Sequence, residues 1–196
     1  IQYEYSYDRH LDGYKIIYHI VGTDKDAEGE HYTTGISFPA VKMMRKDYPQ
    51  YQFAELMQNS GVQITAKNLD GSMNGKKFIE PAGVFYADPE IMKMFEVKFL
   101  AGSAESLKDL NSVVLSRTMA SKYFGDWKEA MGRRINMDNL SSDFQVAGVF
   151  EDLPTNTDFP FTLVISYEGF MKYNPSGWPL ESWGATSSSH QLYVKL

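Results

Sequence analysis

The longest strongly apolar run without a charge in this chain is Phe159-Pro-Phe-Thr-Leu-Val-Ile-Ser-Tyr167, nine residues. A helix needs about 20 residues to cross a bilayer, so no run here is long enough. Nine residues suit a buried strand instead, and the other apolar segments are as short, most of them ending near Gly, Pro, Asn or Asp. A chain punctuated this way builds many short strands with a few short helices between them. The expected class is α+β, and 196 residues allow one domain or two small lobes.

Strands are read at Tyr14–Val21, Tyr51–Met57, Val62–Thr65, Lys76–Glu80, Gly83–Tyr86, Val97–Leu100, Val113–Leu115, Arg134–Met137, Phe144–Phe150, Phe161–Ser166 and Gln191–Leu196. Phe144-Gln-Val-Ala-Gly-Val-Phe150 alternates most cleanly. Pro39–Tyr48 reads as an amphipathic helix, with Val41, Met44 and Tyr48 at helical spacing and Pro49 beyond its end. Asp88-Pro89 opens a second helix, with Asp88 as N-cap and Pro89 at the first position. Ser116 caps a third, Arg117–Phe124, which Gly125 stops. Asn68–Gly75 reads as a hairpin loop, Gly22–Gly29 as an acidic turn, and Gly169–Ser189 as mostly loop. Ile1–His10 is either the last turns of a preceding helix or an irregular lead-in.

Composition excludes several functions. Hydrophobic residues at 43% supply a packed core and argue against disorder. The net charge of −6 is shared evenly by the two halves with no basic stripe, which speaks against nucleic acid as a partner. With no cysteine, disulfides, Cys–zinc sites and thiol catalysis are excluded. That absence fits a reducing cytosol and equally an envelope protein that avoids stray disulfides. No basic-then-apolar leader is visible, and the start at Ile1 reads as a segment cut from something larger.

Chemistry-bearing motifs are scarce. His10, His19, His31 and His190 have no metal-ligand spacing, so no metal is expected. Phosphate-cradling glycine loops are absent, so no nucleotide cofactor is expected. Ser116 sits at a strand-to-helix turn, but capping already explains it. Asp24–Glu30 lacks the spacing of a calcium loop and reads as a solvated loop. Trp178 and Trp183 either pin their loop to the core or meet a partner. Paired carboxylates such as Glu80 and Glu151 would serve a hydrolase only if they met in a deep cleft.

Seven segments follow one another in a telling order: Tyr5-Ser-Tyr-Asp-Arg9 with Lys15-Ile-Ile-Tyr18; Ala87-Asp-Pro-Glu-Ile-Met-Lys-Met-Phe95; Phe99-Leu-Ala-Gly102; Asn111-Ser-Val-Val-Leu-Ser-Arg-Thr-Met-Ala-Ser-Lys-Tyr-Phe-Gly125; Met131-Gly132; Phe144-Gln-Val-Ala-Gly-Val-Phe-Glu-Asp-Leu-Pro154; and Asp158-Phe159. The set resembles the MacB-like periplasmic core domain of FtsX-type ABC transporter permeases. His10 and Arg117 depart from the family pattern, and Gly169–His190 carries no family motif. The motif positions, all structural, are Tyr7, Asp8, Arg9, Ala87, Asp88, Pro89, Phe95, Gly102, Leu115, Ser116, Ala120, Phe124, Gly125, Gly148, Val149 and Pro154.

The resemblance implies a two-lobed α+β domain. A βαβ-containing, membrane-proximal lobe would comprise residues 1–79 and 141–196, and a mixed lobe, residues 80–140, would be inserted in it. It further implies the periplasmic domain of an inner-membrane permease, with both chain ends near the membrane and Ile1–His10 as the tail of a membrane helix. The implied partners are the permease's own transmembrane helices, a second permease copy, a cytoplasmic ATPase and another envelope protein. The domain would act mechanically, with no catalytic residue and no cofactor. The competing expectations are a free-standing secreted ligand-binding module and the carboxylate hydrolase.

Overall fold

The computed structural model describes residues 11, 13–138, 140, 142–175 and 177–196. The lead-in Ile1–His10, with motif residues Tyr7, Asp8 and Arg9, lies outside them. In chain order the elements are β1 (Ile17–Ile20), β2 (Gly22–Asp26), β3 (Gly29–Thr33), β4 (Ile36–Ser37), α1 (Phe38–Asp47), β5 (Gln52–Asn59), β6 (Val62–Lys67), β7 (Met73–Glu80) and β8 (Val84–Ala87). There follow α2 (Pro89–Met94), β9 (Phe99–Gly102), β10 (Ser112–Ser116), α3 (Arg117–Phe124), β11 (Arg134–Met137), β12 (Asp143–Phe150), β13 (Leu163–Ser166), α4 (Tyr167–Tyr173), β14 (Thr186–Ser187) and β15 (His190–Lys195).

Eleven strands form one mixed sheet in the order β1-β15-β5-β8-β13-β10-β12-β11-β6-β7, with β9 also on β12. The pairs β10/β12 and β8/β13 are parallel. Strands β1 and β5 both run antiparallel to β15, so they run parallel to each other with α1 as their crossover. The strand–helix–strand reading of the first third thus becomes a βαβ unit with β15 inserted between its strands. Strands β8, β10 and β11, from residues 80–140, alternate in the sheet with strands from 1–79 and 141–196.

Side chains alternate across the strands and feed cores on both faces. Val113, Leu115, Tyr86 and Met57 join α3 and α4 on one face. Val114, Phe85, Leu56 and Ala54 join α2 on the other. A smaller core of Val41, Phe53, Leu192 and Val194 lies under α1.

Three segments depart from expectation, the first being Tyr14–Ile16, read as the start of a strand but forming a 3-10 turn ahead of β1. Gly22–Gly29 is not a simple turn: β2 and β3 pair as a hairpin separate from the main sheet. Nearly all its residues are exposed, so it has no apolar alternation to read. Its turn is set locally, because Asp26 Oδ1 accepts from the backbone N–H of Glu28 at 2.7 Å and of Gly29 at 3.2 Å. The expected loop from Gly169 begins inside α4, which Ser166 caps by accepting from Gly169 N. Gly169 has no room for a side chain, because a Cβ there would stand 2.0 Å from the Leu110 carbonyl oxygen.

Candidate functional site

Strand β5 carries an acid, Glu55, among apolar neighbours, and it is buried. Its partner comes from the last turn of α1. Arg45 donates through Nη1 to Glu55 Oε1 at 3.2 Å, and through Nη2 to the Phe53 carbonyl at 3.1 Å and to Asp88 Oδ2. Asp88 follows β8 and caps α2, accepting from Ile91 N at 3.0 Å and from Glu55 N at 3.3 Å. On the other side of Glu55, its Oε2 lies 3.6 Å from Nε2 of His190, the first residue of β15. The Tyr167 hydroxyl, from the start of α4, is 2.8 Å from the same nitrogen. His190 Nδ1 is 2.9 Å from the Ile36 carbonyl, and its ring stacks on Phe38 at 4.3 Å.

These five side chains tie α1, α2, α4 and β15 to β5. Glu55, Asp88, Tyr167 and His190 are buried, whereas the Arg45 side chain keeps 40% of its exposure. Burial, with Glu55 nearby, pushes the Asp88 carboxyl up to about 7 against the opposing pull of Arg45. Burial alone would lower Arg45, but the two carboxylates outweigh it and raise the guanidinium above its ordinary value. Burial and Glu55 raise the Tyr167 hydroxyl. Of the five, the sequence names Asp88, as a cap, and His190, as one of four histidines without metal-ligand spacing; an acid inside the apolar strand Phe53–Met57 is the local sign of the rest.

The clefts lie elsewhere. One of about 210 Å³ is lined by Tyr86, Leu140, Phe144, Phe170 and Tyr173. A wider one of about 440 Å³ includes Leu11, His19, Phe95, Phe159, Gln191 and Tyr193. Neither is lined by the buried network. Among the described residues no group of three or more His, Asp or Glu could hold a metal ion. Among them, too, no helix is long and apolar enough to cross a membrane.

Glu80 and Glu151 do not converge. Glu80 accepts from Lys122 Nζ and the Tyr123 hydroxyl, each at 2.8 Å, level with Val62 on β6. Through β6 and β11 that level lies beyond the start of β12, whereas Glu151 follows its end. Eight residues of strand put roughly 25 Å between these two levels. This pair therefore cannot form the carboxylate site that a hydrolase would need.

The family-motif residues mostly build β8–α2 and the β9–β10–α3–β12 region. Ala87 ends β8, Pro89 opens α2, and Phe95 follows it in the core. Leu115, Ala120 and Val149 are fully buried, and Phe124 packs against the same core. Ser116 Oγ accepts from Met119 N at 3.3 Å, and Gly125, at φ +90°, donates to the Ser121 carbonyl at 2.7 Å. Gly102 pairs with Gly148, and a Cβ on Gly102 would stand 2.2 Å from the Ala147 carbonyl oxygen. Pro154 lies in an exposed loop beside Leu11. Ser116→Ala is expected to cost about 1 kcal/mol by orphaning the Met119 N–H, read from urea unfolding.

The chain matches the family model of the MacB-like periplasmic core domain over residues 6–196. Its fold resembles the crystal structure of a domain of a candidate permease protein from Porphyromonas gingivalis, at 19% identity and a TM-score of 0.73, covering 96% of this chain and 76% of that one. None of the curated proteins matches.

Proposed function

The chain belongs to the MacB-like periplasmic core domain family, and from that premise we propose that it is the extracytoplasmic domain of an inner-membrane ABC transporter permease. It works mechanically: a cytoplasmic ATPase on another domain or subunit hydrolyses ATP, and the motion reaches this domain through the permease's own transmembrane helices. A second permease copy and another envelope protein complete the assembly, which moves an envelope substrate outward.

One observation carries the reading. Strand β1 pairs with β15 so that Ile17 faces Lys195, and Leu196 N donates to the Ile16 carbonyl at 3.0 Å. The start of the first strand and the end of the last therefore lie side by side, an arrangement that suits a domain hung between two membrane helices. In a free-standing module nothing demands this.

The test is topology in cells. The full gene product, carrying an epitope at the β2–β3 turn, should pellet with inner membranes and resist carbonate washing. The epitope should become protease-accessible once the outer membrane is opened. Release of the domain in soluble form, or protection of the epitope until the inner membrane is broken, would reject the proposal.

A further inference from the structure

On a chain of net charge −6, a polar pocket of about 210 Å³ gathers two arginines beside the loop of the β6–β7 hairpin. Its walls are residues 68–71, residues 132–134 and Gln145. The fold fixes both arginines there. Arg134 opens β11 and pairs with Gln145 on β12. The turn before it is held by its backbone: Gly132 N donates to the Val146 carbonyl at 2.8 Å and Arg133 N to the Ala130 carbonyl at 3.0 Å. The half-buried Arg133 guanidinium is seated in turn. Its Nη2 donates to the Lys67 carbonyl at 3.0 Å, and it lies 4.8 Å from the centre of the Phe124 ring.

The charges here do not cancel. Neither guanidinium forms an ion pair with a described residue. Asp143 on β12 is taken, with Oδ2 2.6 Å from Lys67 Nζ. Asp70, in the pocket wall, turns Oδ1 to the Ser72 N–H at 2.9 Å and the Ser72 hydroxyl at 2.6 Å. Two guanidiniums against that one carboxylate leave the pocket positive. The Arg133 Nε–H is also buried without a hydrogen-bond partner, so the guanidinium is short of acceptors. A fork already held in place gives up little freedom on binding and matches the paired oxygens of an oxyanion. Two forks suit a phosphate group, with three acceptor oxygens and up to two charges, better than a single carboxylate. Gln145 adds a side-chain amide, spent only on the Gly132 carbonyl at 3.4 Å. We infer that this pocket binds a phosphate group between Arg133 and Arg134. Gln145 also lines a second cleft of about 430 Å³, beside Lys108 and Asn111, so the body that carries the phosphate has room to continue. The inference is independent of the transport reading and of membrane topology.

Inorganic phosphate, titrated into the whole chain against sodium chloride of equal ionic strength, tests this by NMR of the arginine Nε–H groups. The Arg133 Nε–H is buried, so it exchanges slowly and serves as the reporter. Phosphate should shift the Arg133 and Arg134 signals to saturation, and chloride should not. Arg134→Gln changes an exposed side chain, so it should keep the fold and weaken binding about tenfold, as loss of a charge-assisted hydrogen bond does. Phosphatidylcholine vesicles with and without phosphatidic acid separate the two sources of the group. Flotation that needs phosphatidic acid and is lost in Arg134→Gln assigns the site to a lipid headgroup; saturation by inorganic phosphate without flotation assigns it to a soluble phosphate. Equal shifts with phosphate and chloride and no flotation, or a variant that binds as tightly as the wild type, would overturn the inference.

Discussion

Replacing Arg45 with methionine is expected to destabilise the domain by about 3 kcal/mol in urea unfolding at neutral pH, the low end of what breaking a buried ion pair costs. Methionine keeps much of the stem's volume but leaves Glu55 and Asp88 facing each other without the guanidinium. The figure sits at the low end because the Arg45 side chain is 40% exposed, and water screens part of the interaction. The pH dependence has a defined sign. Asp88 is raised in the folded state to about 7, so its contribution is fully present below the ordinary aspartate value and is lost as pH climbs toward 7. Without Arg45 that loss should extend to higher pH. Adding Asp88→Asn to Arg45→Met should recover part of it, since one unpaired charge is then gone. A loss below about 0.5 kcal/mol for Arg45→Met, within the range of ordinary surface changes, would mean that the guanidinium does not hold the cluster together.

Gly169→Ala should be at least as damaging, about 3 kcal/mol or more, at or beyond the upper end for overpacking a core. The added Cβ would meet the Leu110 carbonyl oxygen at 2.0 Å, a backbone atom with no rotamer to change. Helix α4 cannot back away cheaply, because Tyr167 and Phe170 on either side are buried. A lowered melting temperature checks this, with the exposed neighbour Glu168→Ala as a control expected to stay within about 0.5 kcal/mol. If both variants melt like the wild type, α4 is not seated against Leu110 as described.

What could be read in advance was local. The caps at Asp88 and Ser116 and the strand at Phe144–Phe150 are each specified within a few residues, and each is present. The β2–β3 hairpin escaped because it buries no face and so leaves no apolar period. Helix α4 escaped because it is seven residues long and carries a glycine for a tertiary reason, the approach of Leu110. The buried network was out of reach for a different reason. Residues 45, 55, 88, 167 and 190 meet only because β15, β5, β8 and β13 lie side by side in the sheet, and no local pattern announces that order. The same holds for Glu80 and Glu151, whose separation follows from strand registers alone.

The placement of β1 beside β15 also sets how the domain bears load. The two strands are antiparallel and the start of β1 lies beside the end of β15, so pulling these two points apart would open the backbone bonds between the strands one after another, like a zipper from its tab. Strands tugged lengthwise past each other would instead have to break their bonds at once. A body attached this way resists poorly when its two anchors separate, but travels as one piece when they move together. On the proposal that both ends carry membrane anchors, a stroke that leaves these bonds intact is a shared tilt or lift rather than a spreading of the two anchors.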